Sequence, residues 1–279
     1  MSRIAARFAQ LKTQDRGALI PFIEAWDPDA ATSMALLRGL PGAGADLIEI
    51  GCAFTDPMAD GPTIQAAGKR ALAAGATLGR TLAMVREFRR EDAATPIILM
   101  GYLNPILSYG SERFCVDAAS AGVDGLIVVD LPSEEADLLL PHAASVDIDI
   151  IRLVAPTTDA ARLPKVLDGS SGFVYYVSIT GITGTRSASA DELAAAIPRV
   201  RAATNLPVAI GFGVRSPEQA AQAVQVADAA VVASVLIETL AASLDADGRA
   251  GPDTVRKVLD QVRALADGVR GARLRDHAA

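Results

Sequence analysis

Glu49 and Asp60 are the two residues of this chain whose types and setting suit proton transfer. Glu49 sits inside a short apolar run, Asp46-Leu47-Ile48-Glu49-Ile50-Gly51-Cys52, which reads as a β-strand bounded by turn residues. Desolvating a bare carboxylate is expensive unless a partner or a proton compensates it. Strand side chains alternate, so Leu47, Glu49 and Gly51 share one face, with Ile48 and Ile50 on the other. Two readings are open: an edge strand with Glu49 in water, or a carboxylate inside a pocket with its pKa tuned for proton transfer. The next stretch, Phe54 to Pro62, holds Asp56, Pro57, Asp60, Gly61 and Pro62 and must be a loop. A loop leaving the C-terminal end of a strand is where α/β proteins place chemistry. Glu49 on a rigid strand and Asp60 on a loop are then expected to face one cavity and to divide acid and base roles.

Other candidates follow from the same alternation. Phe173, Tyr175 and Val177 share one strand face and Tyr176 takes the other, so one tyrosine reaches the cavity and one the helix layer. Three glycine-containing loops suit an anion: Thr180 to Thr185, Gly211-Phe212-Gly213 and Ala233-Ser234. In them backbone N–H groups approach phosphate oxygens, and a helix beginning at Ser234 points its positive end inward. No lysine lies in these loops, so an anion there is expected to be held mainly by amides. Tyr102 and Asn104 are wall or turn residues. Asp130 is either a loop brace or a substrate contact. His142, on a helix, and His277, in the tail, are poorly placed for catalysis. Lys12, Lys69, Lys165 and Lys257 all fall on helix patterns, which argues against a Schiff-base lysine at a strand end.

The elements that must position these groups alternate regularly. Strands are expected at 18–25, 46–52, 96–101, 124–129, 149–154, 172–178, 207–211 and 229–233. Helices are expected at 4–14, 30–40, 63–74, 77–90, 111–121, 133–144, 159–167, 190–201 and 217–226, and after the last strand to near 269. Eight βα units imply a parallel sheet that closes on itself. The expected fold is α/β, a single (β/α)8 TIM barrel over residues 1–279. It has an extra N-terminal helix, extra helices after strands 2 and 8, a core at about 4–269 and a frayed tail at 270–279. A doubly wound open sheet is the alternative. With 51% hydrophobic residues but 4% aromatics, Ala, Val, Ile and Leu must fill the core. A net charge of −7 argues against nucleic acid or an anionic membrane as partner. Cys52 and Cys115 give no disulfide framework or zinc pattern and suit a reducing compartment. No membrane span or signal peptide is visible, so the chain is expected in the cytoplasm.

The string Leu47-Ile48-Glu49-Ile50-Gly51, followed by Phe54-Thr55-Asp56-Pro57-Met58-Ala59-Asp60-Gly61-Pro62-Thr63-Ile64-Gln65, resembles the tryptophan synthase alpha chain family. The resemblance runs from about Phe8 to about Leu240. It implies a barrel lyase that cleaves indole-3-glycerol phosphate to indole and glyceraldehyde 3-phosphate, with no metal or organic cofactor. It implies a beta-chain partner in an α2β2 tetramer. It also implies that Glu49 is the acid–base at C3 of the indole and that Asp60 stabilises charge at the indole nitrogen. By the same resemblance Tyr175 and Phe22 are pocket walls and Thr183 is the threonine of a mobile loop. Gly184, Gly213 and Ser234, with Phe212 between the loop glycines, belong to the phosphate site. The loops 53–62 and 179–187 are expected to be mobile and to form the rim where the partner docks.

The chain departs from the family pattern at Glu24, Trp26, Ala53 and Ala233. Glu24 shares parity with Phe22, so either it enters the cavity beside Glu49, coupled to it as a like charge, or it swings to the rim and pairs with a loop cation or with water. Trp26 is expected to cover the mouth, and the Ala233 methyl to crowd the anion. These departures keep two alternatives in view: a weakly catalytic or non-catalytic activator of a beta chain, and a stand-alone lyase that releases indole.

Overall fold

Among the residues described by the computed structural model (2–177, 190–211 and 213–272), parallel strands alternate with helices along the whole chain. The order is α1 (Arg3–Thr13), β1 (Ala18–Glu24), α2 (Ala30–Ala43), β2 (Ile48–Gly51), α3 (Pro62–Ala73), α4 (Leu78–Phe88), β3 (Ile97–Gly101), α5 (Leu103–Tyr109), α6 (Ser111–Ala121) and β4 (Gly125–Val128). A 3-10 segment (Ser133–Leu138) then precedes α7 (Leu140–Ala144), β5 (Asp149–Ile150), β6 (Arg152–Val154), α8 (Leu163–Val166) and β7 (Val174–Val177). The chain continues through α9 (Ala190–Arg201), β8 (Val208–Gly211), α10 (Pro217–Val226), β9 (Ala229–Val232), α11 (Ser234–Ala242) and α12 (Thr254–Gly271).

The sheet runs β5-β4-β3-β2-β1-β9-β8-β7-β6. Its two edge strands are halves of one expected strand, 149–154. β5 pairs with β4 and β6 pairs with β7. Between them the Ile151 N–H donates to the Leu126 carbonyl at 2.9 Å. The chain itself therefore joins the two edges, and eight βα units close the barrel as expected. The extra helices are α1, the pair α3 and α4 after β2, and the pair α11 and α12 after β9.

Two local readings change. α5 occupies residues expected to be loop, because Pro105 falls in the first turn of a helix, where no intrahelical N–H is needed. The Asp130 carboxylate accepts from the Leu103 N–H at 2.8 Å and holds the start of α5, so Asp130 is a loop brace. Conversely, the expected helix 133–144 breaks at Leu139, and only Leu163–Val166 of the expected helix 159–167 is α-helical. Pro141 and Pro164 each stand in the first turn of a new short helix.

Alternation sorts the strands into two cores. Ile23, Ile48, Ile50, Leu99, Leu126, Tyr176 and Ile210 pack outward against the helices. Ile20, Leu47, Ile98, Ile127, Ile151, Phe173, Tyr175 and Val231 fill the barrel, and Ile4, Phe8 and Leu11 of α1 complete that inner cluster. Each of these α1 side chains contributes roughly 1.5–3 kcal/mol by burial. Arginines fix the same end: Asp46 receives Arg7 and Arg16, and Asp124 receives Arg3 and Arg89. With α1 closing the N-terminal end of the barrel, the C-terminal strand ends are left to form a site.

Candidate active site

A cavity of about 230 Å³ opens at those strand ends. Phe22, Ile64, Met100, Val129, Tyr175 and Val231 give it apolar walls, and Glu24, Glu49, Asp60 and Tyr102 line it with polar groups.

Glu49 is 1% exposed, which excludes an edge strand in water. Strand pairing sets it directly across from Phe22 of β1 and Ile98 of β3. Its Oε2 is buried without a hydrogen-bond partner, and burial pushes its pKa up to about 8. The carboxyl is therefore mostly protonated at neutral pH. Tyr175 is buried close enough for the Glu49 charge to add to burial in holding its phenol protonated. Gly211 makes room for that ring, since a Cβ there would lie 2.0 Å from the Tyr175 hydroxyl oxygen. Parity puts the two tyrosines on opposite faces, and Tyr175, the one that the family resemblance assigns to the pocket, lines the cavity while Tyr176 packs in the helix layer.

Asp60 reaches the same cavity from the loop after β2. Burial raises its pKa to about 6, and a hydrogen bond with Tyr102 opposes the rise. Tyr102 also accepts the Ala59 N–H at 3.0 Å and packs 5.4 Å from the Phe54 ring. It thus fastens the Asp60 loop to the end of β3, a role that the reading of Tyr102 as wall or turn did not identify. Glu49 and Asp60 differ in environment as expected: at pH 7 the first holds its proton and the second has lost it.

Glu24 enters the cavity but not beside Glu49. Phe22 is the register partner of Glu49, and Glu24 stands opposite Gly51, one repeat further toward the mouth. A Cβ on Gly51 would sit 2.3 Å from Glu24 Oε2, so that glycine makes the space for the acid. Burial, then Asp60, then Asp27 raise the Glu24 pKa well above the ordinary value, while Arg70 opposes them. Glu49 is not among these causes, and its own rise comes from burial alone. The expected Glu24–Glu49 coupling is therefore replaced by a Glu24–Asp60 one. Glu24 thus stands in the outer layer of the cavity, its carboxyl pushed toward the neutral form.

Trp26 does not cover the mouth. It packs toward the helix layer under Arg80 of α4, whose guanidinium carbon lies 5.2 Å from the ring centroid. Next to it Asp27, 1% exposed, grips Arg70 of α3 through two bonds of 2.6 and 2.7 Å. This pair anchors α3, which supplies Ile64 to the cavity wall, and nothing in the linear pattern pointed to it.

The far end of the cavity is formed by Gly213, Val214, Arg215, Ala233 and Ser234. Gly213 has φ of 92°, a conformation suited to glycine. Ser234 begins α11, whose N-terminus favours an anion. Ala233 has a negative φ of −121°, so alanine in place of the family's glycine carries no left-handed strain. Arg215 adds a guanidinium to this end, a cation that the absence of lysine from these loops does not reveal. Thr183, Gly184 and Phe212 lie outside the described residues, as does the loop 179–187. Cys52 lines the cavity, and burial and Glu24 hold its thiol protonated. Among the described residues no group of three or more His, Cys, Asp or Glu side chains is arranged to hold a metal. No helix among them is long and apolar enough to cross a membrane.

Comparison with known proteins agrees with this geometry. The family described as tryptophan synthase alpha chain matches residues 8–269. A tryptophan synthase alpha chain of Granulibacter bethesdensis is 72% identical over 274 residues, 98% of each chain. One of Gluconacetobacter diazotrophicus is 72% identical over 98% of this chain and 100% of its own. Among solved structures, a tryptophan synthase subunit alpha of Legionella pneumophila superposes with a TM-score of 0.88 at 36% identity, covering 96% of this chain and 98% of that one. A Mycobacterium tuberculosis tryptophan synthase gives 0.86 at 36% identity, with the same coverage of each chain. The chain belongs to the tryptophan synthase alpha chain family.

Proposed function

We propose that this cavity cleaves indole-3-glycerol phosphate to indole and glyceraldehyde 3-phosphate. The observation that carries the reading is the pair of acids in one apolar cavity, Glu49 protonated by burial and Asp60 ionised on the fastened loop. The flat apolar walls suit a bicyclic aromatic ring. Glu49 gives its proton to C3 of the indole, producing an indolenine whose nitrogen withdraws electrons. The Asp60 carboxylate accepts the nitrogen's N–H and stabilises the positive charge that develops there. Glu49, now a carboxylate, takes the proton from the hydroxyl on the carbon attached to C3. The bond between that carbon and C3 breaks, its electron pair restores the aromatic ring, and an aldehyde leaves. The proton from Glu49 stays on C3 of the indole and the hydroxyl proton replaces it on the carboxyl, so one carboxyl serves both steps.

Phe22 and Tyr175 flank the ring, and Gly213 and Ser234, together with Gly184 and Phe212, hold the phosphate. Thr183 is a further substrate-binding residue. The whole chain acts as one barrel domain, in the cytoplasm, as the alpha subunit of an α2β2 complex with a beta chain. The rim beside Asp60, where Met58 is 80% exposed, is the docking face. The test is purified protein with indole-3-glycerol phosphate, alone and with the beta chain of the same organism. Indole and glyceraldehyde 3-phosphate should form in equal amounts, faster with the partner. Activation of the beta chain without cleavage would leave an activator, and cleavage with no response to the beta chain would leave a stand-alone lyase.

A further inference from the structure

Four ionisable side chains line the cavity among the described residues: Glu24, Glu49, Asp60 and Arg215. Arg215 is the one cation, and it stands at the end that carries Gly213 and Ser234. It faces a carboxylate in this state. Its Nη1 donates to Glu238 Oε1 at 3.1 Å and its Nη2 to Glu238 Oε2, the two-pronged arrangement that a guanidinium also makes with phosphate. Glu238 projects from α11, the helix whose N-terminus at Ser234 faces the cavity. The Arg215 backbone N–H donates to Gln219 Oε1 at 2.8 Å, which fixes the base of the side chain and leaves its head to choose a partner.

The Arg215 and Glu238 side chains are 43% and 40% exposed. An ion pair in that setting contributes only ~0–1 kcal/mol. A phosphate dianion carries about twice the charge of a carboxylate and offers the same fork of acceptors. Exchanging Glu238 for phosphate therefore costs little and brings the one lining cation onto the ligand's most charged group.

We propose that Arg215 is a phosphate-binding residue held by Glu238 until the substrate arrives, and that Glu238 competes with the substrate for it. This rests on the reading above that a phosphate enters at the Gly213–Ser234 end. Glu238 Oε1 also accepts from Thr63 Oγ1 at 3.4 Å, at the start of α3, so releasing Arg215 leaves Glu238 with a partner on the Asp60 side.

The test compares wild type, Arg215→Gln, Glu238→Gln and the double variant. Titration calorimetry with glycerol 3-phosphate gives affinity without any need for turnover, and KM for indole-3-glycerol phosphate is measured in parallel. Arg215→Gln should weaken glycerol 3-phosphate about 5–30-fold and raise KM, as expected for a charge-assisted bond in a partly wet site. Glu238→Gln should move the other way, tightening the ligand about 2–5-fold by removing the competitor. The double variant should match Arg215→Gln alone. The opposite signs separate a reserve from a brace: if both single variants weaken the ligand equally, the pair is structural and the proposal is overturned. It is equally overturned if neither affinity moves. Glycerol 3-phosphate affinities that shift as stated in a protein that does not cleave indole-3-glycerol phosphate would refute the lyase reading and leave this one standing.

Discussion

Replacing Glu49 by glutamine keeps the shape of the side chain and removes its titration, which makes two outcomes calculable. Burial alone raises the Glu49 pKa from the ordinary 4.5 to about 8. Between those values the folded protein holds a proton that the unfolded chain has released. Stability therefore falls as pH rises from about 4.5 and levels off above about 8. At ~1.4 kcal/mol per pH unit, the cost is about 3 kcal/mol at pH 7 and about 5 kcal/mol beyond pH 8. Glutamine cannot ionise, so Glu49→Gln should gain on wild type steadily between pH 5 and pH 8. A buried amide adds a constant offset but no slope. Urea unfolding at pH 5, 6, 7 and 8 reads the difference directly. The same variant should lose roughly 10²–10⁴-fold or more in lyase turnover, the loss expected on removing a general acid. A stability difference independent of pH would refute the buried titrating acid, and near-normal turnover would refute the catalytic assignment.

The two acids should give lyase activity a bell-shaped pH profile. Activity should rise through about 6 as Asp60 ionises and fall through about 8 as Glu49 loses its proton, and a flat profile across that range would contradict the division of roles. Glu24→Thr should leave the alkaline limb in place, because Glu24 is not among the causes of the Glu49 shift; a limb displaced to lower pH would restore the coupling that adjacent-strand parity suggested. Gly213→Asp should raise KM for indole-3-glycerol phosphate sharply through charge repulsion and strain at φ of 92°, and an unchanged KM would place the phosphate elsewhere. Asp27→Asn should destabilise the fold by about 2–3 kcal/mol in urea unfolding, somewhat less than the ~3–5 kcal/mol of a fully buried pair because Arg70 reaches water, and a loss below 1 kcal/mol would mean that α3 is anchored by packing alone.

What could be read in the sequence, and what could not, divides along a physical line. Period and parity are local properties. They gave the βα rhythm, the shared face of Phe22 with Glu24, and the opposite faces of Tyr175 and Tyr176, because a strand's backbone geometry enforces them whatever its neighbours do; which face meets the cavity came from the family resemblance. Partners and depth are properties of how strands stack. Alternation places Glu24 and Glu49 on one face, but only the register, Phe22 against Glu49 and Glu24 against Gly51, shows that they occupy different layers. Gly51 completes that difference, since its missing Cβ leaves the place that Glu24 takes. Asp27 with Arg70, Tyr102 with the Ala59 N–H, and Arg215 with Glu238 join residues far apart in the chain, and each member alone is an ordinary polar residue. Arg215 is hidden for a different reason. Glycine amides and lysine are the signals that a linear pattern offers for a phosphate site, whereas a guanidinium two residues beyond Gly213 offers the same charge and adds a fork that a lysine lacks. The charge that matters there is set by which carboxylate stands across from it, and only the folded chain brings Glu238 to that place.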